Sequence, residues 1–307
     1  MFTLTIALIP LIASAAAPVN PATSATPATN AAAPAARAKD SCFDCHGVME
    51  GTSAVFKDDV HYKNTLSCAD CHGGDPKEDT ANASMSPDRG FKVRVTRQGT
   101  PDYCGRCHSD ATFMAKYNPR EKVDQLALYK TSIHARELAA GKKAAECVDC
   151  HSVHNIRAAS DPLSPTGPQH VSDTCAKCHA AAADLLKKSS HGRRFASERS
   201  PGCVACHASH ATQPAGISML TGATSVCARC HNANSGPGRT ATQIAQFLTG
   251  LEAAGPASKD ALDRARLAVH TFNLAAVRRA AEPVAPAPAP AVAPRPAVAP
   301  TPAAPPK

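Results

Sequence analysis

Seven copies of one short cysteine motif constrain this chain more than any other feature. The sequence has 14 Cys and 14 His in 307 residues, and every cysteine belongs to a Cys-x-x-Cys pair. A histidine directly follows each pair, which chance does not explain. Numbered along the chain, the copies are motif 1 (42–46), motif 2 (68–72), motif 3 (104–108), motif 4 (147–151), motif 5 (175–179), motif 6 (203–207) and motif 7 (227–231).

This spacing is the attachment pattern of c-type haem. Two thiols on one short turn add across the two vinyl groups of one haem edge, and the next imidazole then lies beneath the ring and binds the iron. Paired cysteines also build zinc sites, and exported chains form disulfides, but neither alternative explains the histidines. The sequence predicts seven covalently bound haem c groups with their iron, held by Cys42, Cys45, Cys68, Cys71, Cys104, Cys107, Cys147, Cys150, Cys175, Cys178, Cys203, Cys206, Cys227 and Cys230. The proximal iron ligands are then His46, His72, His108, His151, His179, His207 and His231.

The other seven histidines match the number of predicted irons, so each is a candidate distal ligand. Internal repetition supports this reading, since motif 1 leads the chain and three two-motif units follow, made of motifs 2 and 3, 4 and 5, and 6 and 7. Four candidates each follow a motif that closes a unit or leads the chain, and these are His61, His134, His191 and His270. Two candidates, His154 and His210, lie three residues after a proximal histidine. His170 has no counterpart in the repeat.

The position of His154 and His210, three residues after a proximal histidine, predicts which haem each of them can bind. His154 is three residues beyond His151, so both point to roughly the same side of a turn. His154 therefore cannot reach the opposite face of the haem that His151 holds, and it is expected to bind an adjacent haem. The same crossed ligation is expected for His210.

Composition divides the chain into five segments. Residues 1–15 are predicted to be a secretory signal, with an apolar run and small residues at its end. Residues 16–40 form an Ala/Pro/Thr linker and residues 283–307 an Ala/Pro tail, both expected to be disordered because they can bury little apolar area. Residues 41–231 are the predicted seven-haem domain, and residues 232–282 a helical segment that packs on haems. No other run is long enough to span a bilayer, which predicts an exported, periplasmic or extracellular protein.

The expected fold class is mostly α with extensive irregular loops, in a haem-dense arrangement. Aromatic residues are only 4% of the chain, so side chains alone offer little bulk for a core. Three helices are predicted, from Asn118 toward Lys130, over 240–251, and from Ser258 to about Ala280. The third would carry His270 on an apolar stripe. The net charge of +8 is spread along the chain, without the compact patch that nucleic-acid binding would favour.

Residues 42–231 resemble the bacterial multihaem cytochromes c with doubled Cys-x-x-Cys-His motifs, most clearly in 147–157 and the motif that follows. The resemblance implies an electron carrier of anaerobic or metal-linked respiration, and no enzyme. Expected partners are redox proteins, with a membrane quinol-oxidising or outer-membrane protein as a candidate. A multihaem oxidoreductase with one five-coordinate haem and a haem-linked filament subunit are the alternatives, and the oligomeric state stays open.

Overall fold

The computed structural model describes residues 40–49, 51, 54–194 and 202–283. The predicted signal, nearly all of the predicted linker and all but the first residue of the predicted tail lie outside these residues. Within them the chain is helical, with no β-strand. The mostly-α prediction is therefore confirmed. None of the described helices has the length and apolar character needed to cross a membrane.

Short helices joined by turns make up most of the described chain. The α-helices are α1 Ser41–His46, α2 Val60–Lys63, α3 Cys68–His72, α4 Ala81–Ser84, α5 Thr100–His108, α6 Ala111–Met114, α7 Gln125–Lys130, α8 Ile133–Ala139, α9 Cys147–His151, α10 Val171–Lys188, α11 Cys203–His207, α12 Gly236–Ala253, α13 Lys259–Ala268 and α14 Leu274–Ala281. The 3-10 helices are Ala54–Asp58, Pro87–Arg89, Gly192–Arg194, Ile217–Met219, Cys227–Arg229, Pro256–Ser258 and Val269–Thr271.

The largest apolar core lies in the C-terminal helices. Helix α12 contains the predicted helix over 240–251, which is confirmed. Helices α12, α13 and α14 pack together. Their shared core consists of Ile244, Leu248, Leu262, Ala265, Ala268 and Val277.

The single helix predicted from Ser258 to about Ala280 is wrong, because the chain breaks in the middle. Helix α13 ends at Ala268, a 3-10 turn follows, and Phe272 then adopts a left-handed conformation with φ of 52°. Asn273 caps α14 by accepting a hydrogen bond from the Ala276 amide. Ser258 makes no capping bond, since its hydroxyl donates to the Leu251 and Gly255 carbonyls.

The helix predicted from Asn118 begins seven residues later. Asn118 accepts a bond from the Arg120 amide and donates one to the Glu121 carboxylate, so its capping groups are used inside a turn. Helix α7 starts at Gln125 and packs against α5. Leu126 reaches the Gly105 backbone, where an added Cβ would lie 2.3 Å from the Leu126 side chain. This tertiary contact fixes the position of α7.

Candidate haem-binding sites

The first motif of each two-motif unit has one common backbone form. Motifs 2, 4 and 6 are the five-residue helices α3, α9 and α11, which run from the first cysteine to the histidine. The next residue has positive φ in all three, at Gly73 (70°), Ser152 (74°) and Ala208 (61°). Only glycine adopts this conformation without strain. The chain therefore turns sharply away from the helix directly after each predicted proximal ligand.

Side-chain caps hold two of these short helices. At α3, Ser67 and Asp70 form a capping box, and at α9 Glu146 and Asp149 form another. Each box satisfies amides at both the cap and the first turn. A five-residue helix has little stability of its own, so these bonds keep the two thiols and the imidazole on one turn.

The closing motifs differ from the leading ones. Motif 3 ends the longer helix α5, and motif 5 lies inside α10, where His179 departs from helical geometry with φ of −109° and ψ of 41°. Motif 7 forms the 3-10 helix Cys227–Arg229. The common form of the leading motifs therefore recurs in step with the repeat seen in the sequence, while each closing motif has a local structure of its own.

Six predicted proximal imidazoles each face one predicted distal imidazole. Their ring centroids are 5.9 to 6.2 Å apart. The pairs are His61 with His108, His72 with His154, His134 with His179, His151 with His210, His191 with His231, and His207 with His270.

These separations fit two imidazoles that bind one iron from opposite sides. A metal–nitrogen bond to imidazole is about 2.0 Å, and the ring centroid of imidazole lies about 1.1 Å beyond that nitrogen, given ring bonds near 1.33 Å. Two such ligands in line place their centroids about 6.2 Å apart. The donor set therefore fits haem iron in all six pairs.

The pairing follows one rule. The histidine that precedes a unit faces the closing motif of the same unit, as His61, His134 and His191 do. The histidine that trails a leading motif faces the leading motif of the preceding unit, as His154 and His210 do. His154 thus faces His72 and not its neighbour His151, in agreement with the crossed geometry expected from the sequence.

His270 belongs with the trailing histidines. Sequence order groups it with His61, His134 and His191, but this grouping is wrong, because its ring faces His207 of a leading motif. The break after α13 produces this placement, since His270 lies in the 3-10 turn and its Nδ1 bonds to the Leu267 carbonyl. The last unit has no following unit, and the C-terminal segment supplies the ligand in its place.

Hydrogen bonds at Nδ1 orient several of these rings. His61 Nδ1 lies 2.9 Å from the Asp59 carboxylate, and His72 Nδ1 lies 2.9 Å from the Lys92 carbonyl. Such bonds fix the tautomer and leave Nε2 as the metal-binding atom. Asp59 is fully buried and also accepts the His61 and Ile156 amides.

The predictions made from the sequence missed a repeated pattern beside the three histidines that precede the units. A small polar residue stands two places before each preceding histidine: Asp59 before His61, Ser132 before His134, and Ser189 before His191. All three are buried. Asp59 and Ser132 cap the helices that carry their histidines. The pattern Asp/Ser-x-His could therefore have been recognised in the sequence.

Contacts link the segment of each preceding histidine to a later part of the chain, through backbone hydrogen bonds at two positions and a ring contact at the third. The Val60 amide donates to Ile156, two residues after His154, at 2.7 Å, and the Ile133 amide donates to Thr212, two residues after His210, at 2.8 Å. At the third position the Phe272 ring, two residues after His270, contacts the His191 ring, with centroids 4.3 Å apart. Successive units therefore interlock at equivalent places.

Burial favours the neutral imidazole at many of these positions. Loss of hydration, reinforced at several of them by the facing histidine, lowers the pKa below its ordinary value. This holds for His108, His134, His151, His154, His207 and His210. Neutral imidazole is the form that binds a metal, so these environments suit iron ligands.

The six pairs use neither His46 nor His170. His46 ends α1, where Asp40 caps the first turn, and it makes interactions of its own. His170 occupies the N-terminal cap position of α10, and its Nε2 lies 2.9 Å from the Pro162 carbonyl. That nitrogen is the one through which the oriented imidazoles would bind iron.

The predicted thioether cysteines accompany these imidazoles. All fourteen lie in the described part of the chain, where no two of them are joined by a disulfide. Nowhere in that part do three or more histidine, cysteine or acidic side chains converge on a point that could hold a bare metal ion.

Two family models match parts of the chain. A cytochrome c3 model matches residues 60–163, which contain motifs 2 to 4. A model of cytochrome c554 and c-prime matches residues 13–73, which contain motifs 1 and 2. The matches support a multihaem c-type cytochrome. No curated protein and no solved structure matches the chain.

Proposed function

We propose that this cytochrome is an exported electron carrier with seven covalently bound haems, which transfers electrons between redox proteins in a respiratory chain. Each bound haem supplies an iron that alternates between the ferric and ferrous states. No substrate bond is made or broken. The carrier reading rests on the six imidazole pairs, whose spacing suits six irons with both axial positions filled.

The protein's own groups have separate tasks in this proposal. The cysteine pairs would hold each porphyrin edge on a short turn, and the six pairs of facing imidazoles would bind the iron of six haems. Ligands on both sides keep small molecules away from an iron and allow oxidation-state change with little rearrangement. Two imidazoles in place of a His/Met pair favour low reduction potentials.

Carbon monoxide binding to the reduced holoprotein distinguishes an electron carrier from the alternative, an oxidoreductase with one five-coordinate haem. The carrier proposal requires a second ligand at the motif 1 iron in addition to the six imidazole pairs, so the reduced holoprotein is expected to bind no carbon monoxide and its ferric form to give no high-spin EPR signal. A stoichiometric adduct on one haem in seven would contradict saturation. The proposal would then change to an oxidoreductase with one five-coordinate haem.

Removal of one facing imidazole tests the ligand assignment. His154→Ala is expected to give one high-spin iron, at motif 2, because His154 faces His72. Val153→Ala is the matched control, since Val153 is the adjacent residue and is exposed. Fully low-spin spectra in the His154 variant, with no replacement ligand, would contradict the assignment.

The N-terminal residue of the mature holoprotein tests whether the protein is exported. The predicted signal ends at Ala15, so the mature holoprotein from a periplasmic fraction is expected to begin at Ala16. A cytoplasmic holoprotein with an intact Met1 would contradict export and leave the haem assignment in place.

A further inference from the structure

Asp59 is a fully buried acidic residue beside a predicted iron ligand. Its Oδ1 accepts the His61 amide at 2.8 Å and lies 2.9 Å from His61 Nδ1, and its Oδ2 accepts the Ile156 amide at 2.6 Å. With Nε2 of His61 turned to iron, Nδ1 carries the proton and donates to the carboxyl group. All three partners are then donors, so the side chain only accepts hydrogen bonds, as an ionised carboxylate does.

Backbone contacts hold this carboxylate against His61. The Asp59 amide donates to the Phe56 carbonyl at 2.9 Å, and the next amide, of Val60, donates to the Ile156 carbonyl at 2.7 Å. A rotation of the carboxylate away from His61 would break its bond to the Ile156 amide, and an unpaired buried donor costs about 1–3 kcal/mol. The negative charge is therefore kept next to one imidazole.

Serine stands at the equivalent position of the other two units, as Ser132 and Ser189. The Ser132 hydroxyl accepts the Ala135 amide at 3.1 Å, and the Ser189 hydroxyl donates to the Leu186 carbonyl at 2.6 Å. A hydroxyl carries no charge. The three units pair their imidazoles in the same way, but they differ in the charge beside the imidazole that faces the closing motif.

The acceptor at His61 also differs from those at two other imidazoles. His72 Nδ1 lies 2.9 Å from the Lys92 carbonyl, and His270 Nδ1 lies 2.9 Å from the Leu267 carbonyl. A carboxylate binds an N–H group more strongly than a neutral carbonyl does, because the bond is charge-assisted. It draws the Nδ1 proton toward itself and makes the other ring nitrogen a stronger donor to a metal.

Charges in the neighbourhood do not cancel this difference. Asp149 lies within electrostatic range of His134, but its carboxylate binds Arg97 at 2.5 Å, which offsets its charge. Arg157, the residue after Ile156, binds the Asp161 carboxylate at 3.1 Å. The buried carboxylate is thus the acidic group in direct contact with a ligand of a closing-motif iron.

We propose that Asp59 holds the reduction potential of the motif 3 iron below those of the motif 5 and motif 7 irons, so that motif 3 is the last of the three to be reduced. This inference rests on the proposed haem content and ligand pairs. Each iron takes up one electron from the donor protein and passes from ferric to ferrous, while the proton stays between His61 and Asp59. A buried negative charge favours the ferric state, because that state carries one more positive charge and the protein interior screens weakly.

A redox titration of the holoprotein, followed by EPR, measures the three potentials. Single variants assign the signals, since His61→Ala, His134→Ala and His191→Ala are each expected to convert one low-spin ferric iron to high spin, at motifs 3, 5 and 7 respectively. In the wild type, the signal assigned by His61→Ala is expected to have the lowest midpoint of the three. A midpoint equal to or above either of the others would overturn the proposal.

A substitution places the residue of the other two units at position 59. In Asp59→Ser the motif 3 iron is expected to stay low-spin, and its midpoint to rise toward those of motifs 5 and 7. Asp58→Ser is the matched control, because it removes the same charge one residue away, from a side chain that is 65% exposed. Equal shifts in the two variants would contradict the proposal. A high-spin iron in Asp59→Ser would do so too, because Asp59 would then only keep His61 in place.

Two further outcomes separate this inference from the proposed function. If folded His61→Ala protein contains no high-spin iron, the ligand pairing is wrong and both proposals fall. If that variant opens the motif 3 iron but the midpoints follow another order, only the present inference falls. If Asp59→Ser does not assemble, the wild-type order of midpoints decides alone, and a lowest midpoint at motif 3 supports the role of Asp59.

Discussion

The haem-attachment region (40–231) and the C-terminal region (236–282) are stabilised in opposite ways. Of the eleven buried apolar residues in the described chain, eight lie in the C-terminal region, and the attachment region has only Phe56, Leu138 and Leu186. Buried polar residues show the reverse distribution. All nine of them lie in the attachment region, among them Asp59, Ser132 and Ser189.

This difference explains how a chain with few bulky side chains can form an ordered structure. The C-terminal helices bury aliphatic side chains against each other, as in an ordinary helical protein. The attachment region has capped turns, hydrogen-bonded buried polar groups and facing imidazoles, but little apolar contact area of its own. In our account the porphyrins supply that area, and the C-terminal region adds its core and one ligand, His270.

The largest expected effect comes from withholding haem. Full-length protein expressed without the cytochrome c maturation machinery is expected to lose cooperative unfolding, because the attachment region cannot bury enough apolar surface alone. Thermal melts followed by circular dichroism check this against the holoprotein. A cooperative transition with native helix content in haem-free protein would remove the distinction between the two regions.

A core truncation is expected to act mainly on the C-terminal region. Leu248 is 2% exposed, and Leu248→Ala is expected to cost about 2–5 kcal/mol in the unfolding free energy of that region. Denaturation of the holoprotein, followed by far-UV ellipticity, measures it. Leu163→Ala is the matched control, since Leu163 is 68% exposed. Equal effects from the two variants would argue against a side-chain core in α12.

A smaller effect is expected from one buried cap in the attachment region. Ser132 accepts the Ala135 amide at the start of α8, and Ser132→Ala is expected to cost about 1 kcal/mol. Thr80→Ala is the control, because Thr80 occupies the same cap position of α4 without a side-chain bond. The midpoints of chemical denaturation should separate the two variants. A loss in the Thr80 variant as large as in the Ser132 variant would contradict the role given to buried caps.

The smallest expected effect is electrochemical. Asp59→Asn removes the negative charge beside His61 Nδ1, which makes the imidazole a weaker donor to ferric iron. One haem potential is expected to rise by an amount on the order of tens of millivolts. Asp58→Asn is the control, because it changes the same charge one residue away without contact to His61. Spectroelectrochemical titrations that shift equally in both variants would show only a general charge effect.

Some structural features of this chain follow from local spacing in the sequence, and others do not. The motifs, the three units and the helix over 240–251 follow from local spacing. The break between α13 and α14 does not, because it depends on a left-handed Phe272, and no local rule places a bulky side chain there. The start of α7 also escaped prediction, since Asn118 satisfies a capping signature inside a turn and the contact of Leu126 with Gly105 sets the helix.

The buried Asp/Ser residues before His61, His134 and His191 illustrate a different limit. Their spacing was visible in the sequence, but its meaning depends on which imidazole each histidine faces. The pairing joins residues from different units, such as His154 and His72, and only the folded chain brings them together. The placement of His270 with the trailing histidines likewise required the structure.

The mass of the denatured holoprotein tests the central claim most directly. Thioether bonds survive denaturation, so the account predicts the mass of the processed chain plus seven haems. Conversion of Cys203 and Cys206 to Ser together should then remove one haem mass. A wild-type excess of fewer than seven haems, or haem that acid extraction releases from the chain, would contradict the account.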